Sequence, residues 1–179
     1  MSDAAAVTNA VANLVTRIAP LRWRVAFSGG LDSTVLLHAL QAHAPGRVDA
    51  LHVSHGLQPD VTSHWERAVS KSAQAIGVEV RIIDVAVDLN SDRGIEAAAR
   101  EARYLALEPE ISDGECLLTA QHADDQAETV LLQLLRGGGP AGLSGMPATA
   151  RFGRGRLLRP LLCVTRADIE AYAELHCLQ

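Results

Sequence analysis

An α/β fold, with a parallel five-stranded sheet and helices on both faces, follows from three features of this 179-residue chain. Short apolar runs of strand length alternate with longer stretches of helical periodicity, and a parallel crossover of this kind needs a helix. Apolar residues make up 48% of the chain, yet Trp, Tyr and Phe number only two each. A core of Ala, Val and Leu suits helices packed on a buried sheet. Finally, the first strand breaks abruptly into Ser28-Gly29-Gly30, a tight turn that launches a helix from a strand end.

The elements follow in order. Over residues 4–18, Ala5, Val7, Val11, Leu14, Val15 and Ile18 recur at helical spacing, a leading helix for the sheet's edge that Pro20 closes. Arg24–Phe27 is the first strand. The helix after the glycines returns apolar residues at Leu36, Leu37 and Leu40 and runs to about Ala44, where Pro45-Gly46 stops it. Val48–Val53 reads as the second strand, with His52 and His55 at its end, and Pro59-Asp60 opens a helix over Val61–Ile76 closed by Gly77. Val78–Val85 is the third strand. Gly94 precedes a helix of alanine and long side chains through Leu105, strong on propensity alone. Cys116–Ala120 is the fourth strand and Ala123–Leu135 a helix. Gly137-Gly138-Gly139-Pro140 then opens a loop that reaches a short last strand at Leu157–Leu158, and Arg166–Leu175 closes as an amphipathic helix. Length and composition fit one domain, residues 1–179, with the leading helix inside residues 1–22.

Ligands collect beyond the carboxyl ends of parallel strands, where Ser28–Thr34, His52–Gly56 and Gln121–Glu128 all lie. In the first of these, Gly29 and Gly30 permit backbone angles closed to other residues, so successive N–H groups can curl around an anion. The unpaired N–H groups of the following helix and its positive dipole end add to the same spot, which makes this a phosphate site. The loop lacks the Lys of a Walker A sequence and the three spaced glycines of a dinucleotide fingerprint. A plain connecting turn would explain two glycines but not Ser28, Asp32, Ser33 and Thr34 crowded at a helix start.

The net charge of −5 conceals segregation: residues 1–128 hold 18 acids against 10 Lys and Arg, whereas 129–167 hold no acid and six arginines. These are Arg136, Arg151, Arg154, Arg156, Arg159 and Arg166. A surface that follows a polyanion backbone would have this composition, and so would a solvated loop; charge alone leaves both open. No apolar run approaches bilayer length and no secretory leader is present, so a cytoplasmic protein with no membrane partner is expected. Cys116, Cys163 and Cys177 are odd in number and form no C-x-x-C pair. Buried free thiols are expected rather than a disulfide framework or a metal cluster.

In the helix after the fourth strand, Ala127, Val130, Leu131, Leu134 and Leu135 form a stripe read as core-facing. Asp124 lies within that arc, Glu128 at its border and Asp125 outside it. Acids in a first helical turn stabilise it by about 0.3–1 kcal/mol each. That leaves an acid on the apolar arc unexplained unless the turn projects into a cleft, where it would hold a magnesium ion or an amine. On the Gly94 helix, Arg100 has Glu96 four residues before it, a favourable helical pair. The pairing positions of Arg103 hold Ala99, Arg100, Ala106 and Leu107, so Arg103 is the better candidate for gripping a phosphate, with an ordinary solvated arginine as the alternative. His52 and His55 without a nearby Cys do not make a zinc site. His55 is kept as a nucleotide contact; a hydrogen-bonded structural group is the alternative.

Taken together, Ala26–Leu37 with its Ser-Gly-Gly-Leu-Asp-Ser core, His52–Leu57, Gly94-Ile95-Glu96 with Arg103-Tyr104, and Gln121–Thr129 resemble the tRNA(Ile)-lysidine synthetase family. Arg136-Gly137 through Gly142-Leu143 and Arg159-Pro160-Leu161-Leu162 also match, so the resemblance covers residue 24 to the end. The Ser-Gly-Gly loop alone is the PP-loop shared with other ATP pyrophosphatases, whereas the Gln121–Thr129 and Gly94–Tyr104 blocks are narrower. The resemblance implies a Rossmann-like adenine nucleotide alpha hydrolase (PP-loop) fold, with ATP and Mg2+ as cofactors. It also implies free L-lysine and a CAU-anticodon tRNA(Ile) as partners: lysine is ligated to C2 of the wobble cytidine through an adenylated intermediate, with release of AMP and pyrophosphate.

By the same resemblance, Ser28, Gly29, Gly30, Leu31, Asp32, Ser33, Thr34 and His55 contact ATP, and Asp32 and Glu128 hold the metal. Arg103 neutralises charge on the phosphates, Asp125 and Glu128 sit near the lysine amine, and Arg151, Arg154 and Arg156 face tRNA. The family usually continues with C-terminal domains that grip tRNA, so a chain ending at Gln179 is expected to be an excised catalytic domain or an atypical member. The competing readings are another PP-loop enzyme, such as a tRNA thiolase or an amide-forming synthetase, and a non-catalytic nucleotide-binding module.

Overall fold

The computed structural model describes residues 3–54, 59–86, 94–137, 139 and 142–178, with backbone alone at 59–63 and 96. Helices α1 (Ala4–Arg17), α2 (Leu31–His43), α3 (Pro59–Ala75), α4 (Ile95–Leu107), α5 (Ala123–Leu135) and α6 (Arg166–Leu175) alternate with strands. The strands are β1 (Trp23–Ala26), β2 (Val48–Ser54), β3 (Val80–Asp84), β4 (Cys116–Leu118), β5 (Thr149–Phe152) and β6 (Gly155–Leu158). They form one sheet in the order β3-β2-β1-β4-β6-β5. All neighbours are parallel except β5 and β6.

The sheet therefore has six strands rather than five. The additional strand lies in the stretch read as loop. Ala150 and Phe152 alternate with Thr149 and Arg151 and pack against the core, and Gly153-Arg154 turns the chain back with Gly153 at φ 52°. Four residues with one aromatic make a weak strand signal; pairing to β6 supplies what propensity lacks.

Alternation along the strands feeds two apolar layers. Trp23, Val25, Ala50, Cys116, Leu118 and Leu158 pack with α1, α2, α3 and α6, while Leu51, Val53, Leu117 and Leu157 pack with Leu107 of α4 and Ile111. Helices thus lie on both faces, in unequal numbers. Elements end where their sequence stops them: Asp3 caps α1 by accepting from the Ala5 N–H at 2.9 Å, Gly46 and Gly77 turn at positive φ, and Thr165 with Asp168 forms a capping box on α6.

The α5 stripe does not face the core. Leu131, Leu134 and Leu135 are 57%, 56% and 83% exposed, and α5 has no buried residue. Helical periodicity identifies which residues share a face, whereas the opposite face of α5 is the one turned toward the protein. The cysteines also divide: Cys116 is buried, but Cys163 and Cys177 are exposed, because they lie in the turns before and after α6. Burial pushes the Cys116 thiol up, against the pull of Arg156. No helix among the described residues is long and apolar enough to cross a membrane.

At the amino ends of the parallel strands, charges are paired side to side. Arg24 lies 2.8 Å from Asp49 and 3.0 Å from Glu115, and Arg22 also bonds Asp49. Gly155 passes so close here that a Cβ would collide with the Glu115 carbonyl oxygen and fall 2.6 Å from Ile111 Cγ2. Gly155→Ala is expected to destabilise the fold by about 1–3 kcal/mol. Gly139→Ala, where a Cβ meets nothing within 4 Å, should stay within about 0.5 kcal/mol. Urea unfolding of both variants checks the contrast.

Candidate functional site

Strand order reverses between β1 and β4: the chain proceeds from β1 to β2 and β3 on one side, then returns to β4 on the other. An open parallel sheet forms its crevice at such a point. There, a cleft of about 630 Å³ is floored by Ala26, Ser28, Asp32 and Ser33 after β1 and by Thr119, Ala120 and Gln121 after β4. One face of α4, carrying Arg100, Arg103, Tyr104 and Leu107, makes one wall. One face of α5, carrying Asp125, Glu128, Thr129, Leu132, Gln133 and Arg136, makes the other. Both sets follow i, i+3, i+4, i+7 spacing, which places each on a single helical stripe.

The glycine loop is braced from beneath. Gly29 takes φ 83°, and a Cβ on it would lie 2.7 Å from Val69 Cγ2, so conformation and space both require glycine. The Ser33 and Thr34 hydroxyls donate to the Gly30 carbonyl at 2.9 and 3.0 Å, the Ser28 and Ser33 hydroxyls stand 3.1 Å apart, and Trp65 Nε1 donates to the Ser28 carbonyl at 3.2 Å. Gly30 is the N-cap of α2 and supplies no side-chain cap. The first-turn N–H groups therefore keep their affinity for an anion at a positive dipole end.

Around this loop the first turns of α2, α5 and α6 meet. Asp32 Oδ1 accepts from Arg166 Nη1 at 2.8 Å, and its Oδ2 lies 3.9 Å from His122 Nε2. His122 is 6% exposed, and its Nδ1 has no hydrogen-bond partner. Asp125 Oδ2 accepts from the His122 N–H at 2.9 Å, while Asp124 Oδ2 accepts from the Arg166 N–H at 2.8 Å. Asp124 is thus turned to α6, and the acids of α5 that line the cleft are Asp125 and Glu128. Glu170 above all, with Asp32, pushes the Arg166 guanidinium above the ordinary arginine range.

Asp32, Asp125 and Glu128 offer hard oxygen donors. No group of three or more His, Cys, Asp or Glu able to hold a metal ion occurs among the described residues. This donor set fits Mg2+, which takes one or two carboxylates and completes its shell with substrate phosphates and water; it does not fit a protein-only cage.

Of the residues singled out in the sequence, Ser28, Asp32, Ser33, Arg103, Asp125 and Glu128 line this same cleft. Gly29 and Gly30 form its loop, Leu31 packs toward the core, and Thr34 is buried at 1% exposure. His55 lies outside the described residues. His52 is buried with Nδ1 2.8 Å from the Phe27 carbonyl, a structural group. Arg151, Arg154 and Arg156 stand apart from the cleft, on the β5–β6 hairpin: Arg156 is level with Cys116 at the amino end of β4, and Arg154 lies 3.8 Å from Asp113. Arg159 is buried and donates to the Pro147 carbonyl at 2.8 Å.

Arg100, Arg136, His122 and Arg166 were not identified as site residues. Arg100 lies over the Tyr104 ring at 5.3 Å. For Arg100 and Arg136 the available signal was their register with Arg103 and with Asp125 and Glu128. His122 lies inside the Gln121–Thr129 block and Arg166 in the acid-free arginine segment, but neither pattern points to the tertiary contacts through which the two act.

Comparison with known proteins covers nearly the whole chain. Residues 4–179 match the family described as PP-loop domain. Over 157 residues the chain is 54% identical to the tRNA(Ile)-lysidine synthase of Alkalilimnicola ehrlichii, a match spanning 86% of this chain and 35% of that protein. For the enzyme of the same name from Pseudomonas aeruginosa the figures are 49% over 173 residues, 92% and 38%. The chain thus spans little more than a third of the length of these curated relatives. Among solved structures, the U34-tRNA thiolase NcsA from Methanococcus maripaludis aligns with a TM-score of 0.71 at 19% identity, over 97% of this chain and 64% of that one, a likeness of fold. The loop after β1, the reversal of strand order beside it and the family match from residue 4 onward agree: this chain belongs to the PP-loop domain family.

Proposed function

We propose that this chain binds ATP at the glycine loop and uses it to join free L-lysine to C2 of the wobble cytidine in a CAU-anticodon tRNA(Ile). Support comes from relatives up to 54% identical that bear the name tRNA(Ile)-lysidine synthase. The observation that carries the reading is one cleft in which an uncapped helix start faces arginines of α4 and acids of α5. In the first step, the cytidine C2 oxygen attacks the α-phosphorus of ATP; an O–P bond forms and pyrophosphate leaves with the electrons of the broken P–O bond. In the second, the lysine amine attacks C2, and AMP leaves carrying the former cytidine oxygen.

The chain's own groups suit these steps. Backbone N–H groups between Ser28 and Ser33 would hold the β,γ-phosphates, and Arg103 would neutralise charge as pyrophosphate departs. Asp32 and Glu128 would hold a magnesium ion, whose charge offsets that of the phosphate oxygens. Asp125 or Glu128 would accept the proton that lysine's ammonium must lose before attack. Arg136 and the hairpin residues Arg151, Arg154 and Arg156 would meet tRNA phosphates. A thiolase reading gains no support from the cysteines, of which Cys116 is buried in β4.

Arg103→Ala and Glu128→Gln should each lower lysine-dependent AMP formation from labelled ATP and tRNA(Ile) by about 100-fold. Both side chains are exposed, so urea midpoints should not move. Normal AMP formation by both variants would remove the assignment. Gly29→Ala should weaken ATP binding at least about tenfold by forcing Cβ into a left-handed backbone, as calorimetry would read. Replacing Arg151, Arg154 and Arg156 with alanine should flatten the slope of log affinity for tRNA against log salt by about 0.7–0.9 for each phosphate left without its arginine. An unchanged slope would take the hairpin off the tRNA surface.

A further inference from the structure

Arg166, the first residue of α6, joins three helix starts. Its Nη1 lies 2.8 Å from Asp32 Oδ1 on α2, its backbone N–H donates to Asp124 Oδ2 on α5 at 2.8 Å, and its Nε lies 2.8 Å from Glu170 one turn further along α6. The start of α5 is held in the same place by the Ala123 N–H donating to the Val164 carbonyl at 2.8 Å. A pair with Glu170 would satisfy a helical arginine. The reach across to Asp32 is a separate contact, made to the one carboxylate that stands inside the phosphate loop.

That carboxylate is a liability for a loop built to take anions, because like charges at contact distance repel strongly in a partly desolvated cleft. We propose that Arg166 is a positioning residue that neutralises Asp32, so that the loop accepts a nucleotide's phosphates whether or not a divalent cation accompanies them. A cation that reaches Asp32 takes over the same neutralisation. The inference rests on the reading of the loop as an ATP site and says how that site is charged.

The test is calorimetric ATP affinity, with EDTA and with saturating Mg2+, for the unmodified chain, Arg166→Ala, Arg166→Lys, and Arg166→Ala combined with Asp32→Asn. Arg166→Ala should lose at least about tenfold with EDTA and less than about threefold with Mg2+, since a cation at Asp32 stands in for the missing guanidinium. Arg166→Lys keeps the charge and should retain most of the metal-free affinity. Asp32→Asn added to Arg166→Ala should restore it to within about threefold, a coupling that a loosened α6 cannot produce. Equal losses in both conditions, or no recovery on adding Asp32→Asn, would overturn the role given to Arg166 while leaving the ATP site standing. If the unmodified chain bound no ATP in either condition, the nucleotide reading itself would fall and this inference with it.

Discussion

The structure depends on the left-handed turn at Gly29. β1 ends beneath it, α2 starts beyond it, and Val69 of α3 presses against the space where a side chain would be. Because the turn is tight, the start of α2 lies directly over the carboxyl end of β1, at the point where strand order reverses. Everything else at this end of the sheet is arranged around that placement. Ser33 and Thr34 spend their hydroxyls on the Gly30 carbonyl and lock the turn, the Gly30 N–H donates to Ser28 Oγ at 3.3 Å, and the N–H groups of the first turn of α2 are left as the polar face.

The two ends of the sheet solve opposite electrostatic problems. At the amino end, Arg22, Arg24, Asp49 and Glu115 pair with one another, and Glu115 also accepts from the Ser112 N–H at 3.0 Å. That network pairs its charges within the chain beside the buried strand starts, with Arg24 Nε left without a hydrogen-bond partner. At the carboxyl end, helix starts carry positive partial charge, and the carboxylates of Asp32, Asp124 and Asp125 gather within 3.9 Å of the His122 ring. His122 Nδ1 lies 3.6 Å from Asp124 Oδ2 without a hydrogen-bond partner. One end pairs its charges within the chain; the other is balanced only in part.

Much of this was readable from residue order. The β1–α2 turn announces itself because glycines, hydroxyls and an acid coincide at a strand end, and the α/β class follows from alternation that survives errors of a residue or two at each boundary. β5 was not readable: Thr149–Phe152 is short, and its pairing partner β6 decides it. The arginine-rich segment shows a second limit. Composition groups Arg136, Arg159, Arg166 and the hairpin arginines together, yet Arg136 lines the cleft, Arg159 is buried on a carbonyl, Arg166 grips Asp32, and Arg151 lies level with Arg156 on a hairpin. Local sequence carries the charge, but tertiary contacts assign its use.

α5 shows why the same reasoning can find a face and mistake its direction. A helix with an apolar stripe ordinarily turns it inward, since burial of each leucine stabilises by about 1.5–3 kcal/mol. Here the stripe of Leu131, Leu134 and Leu135 stays exposed, and the stripe that lines the cleft carries Asp125, Glu128 and Arg136. What fixes this orientation is polar. The Gln126 amide bonds both the Met146 N–H and carbonyl at 2.7 and 2.9 Å, and Asp124 and Asp125 bond backbone at the helix start. Hydrogen bonds to backbone groups are directional where apolar contact is not, so a few of them at one end can set the rotation of a helix. The cost is an exposed apolar surface; the result is a cleft wall in which two acids stand across from two arginines of α4.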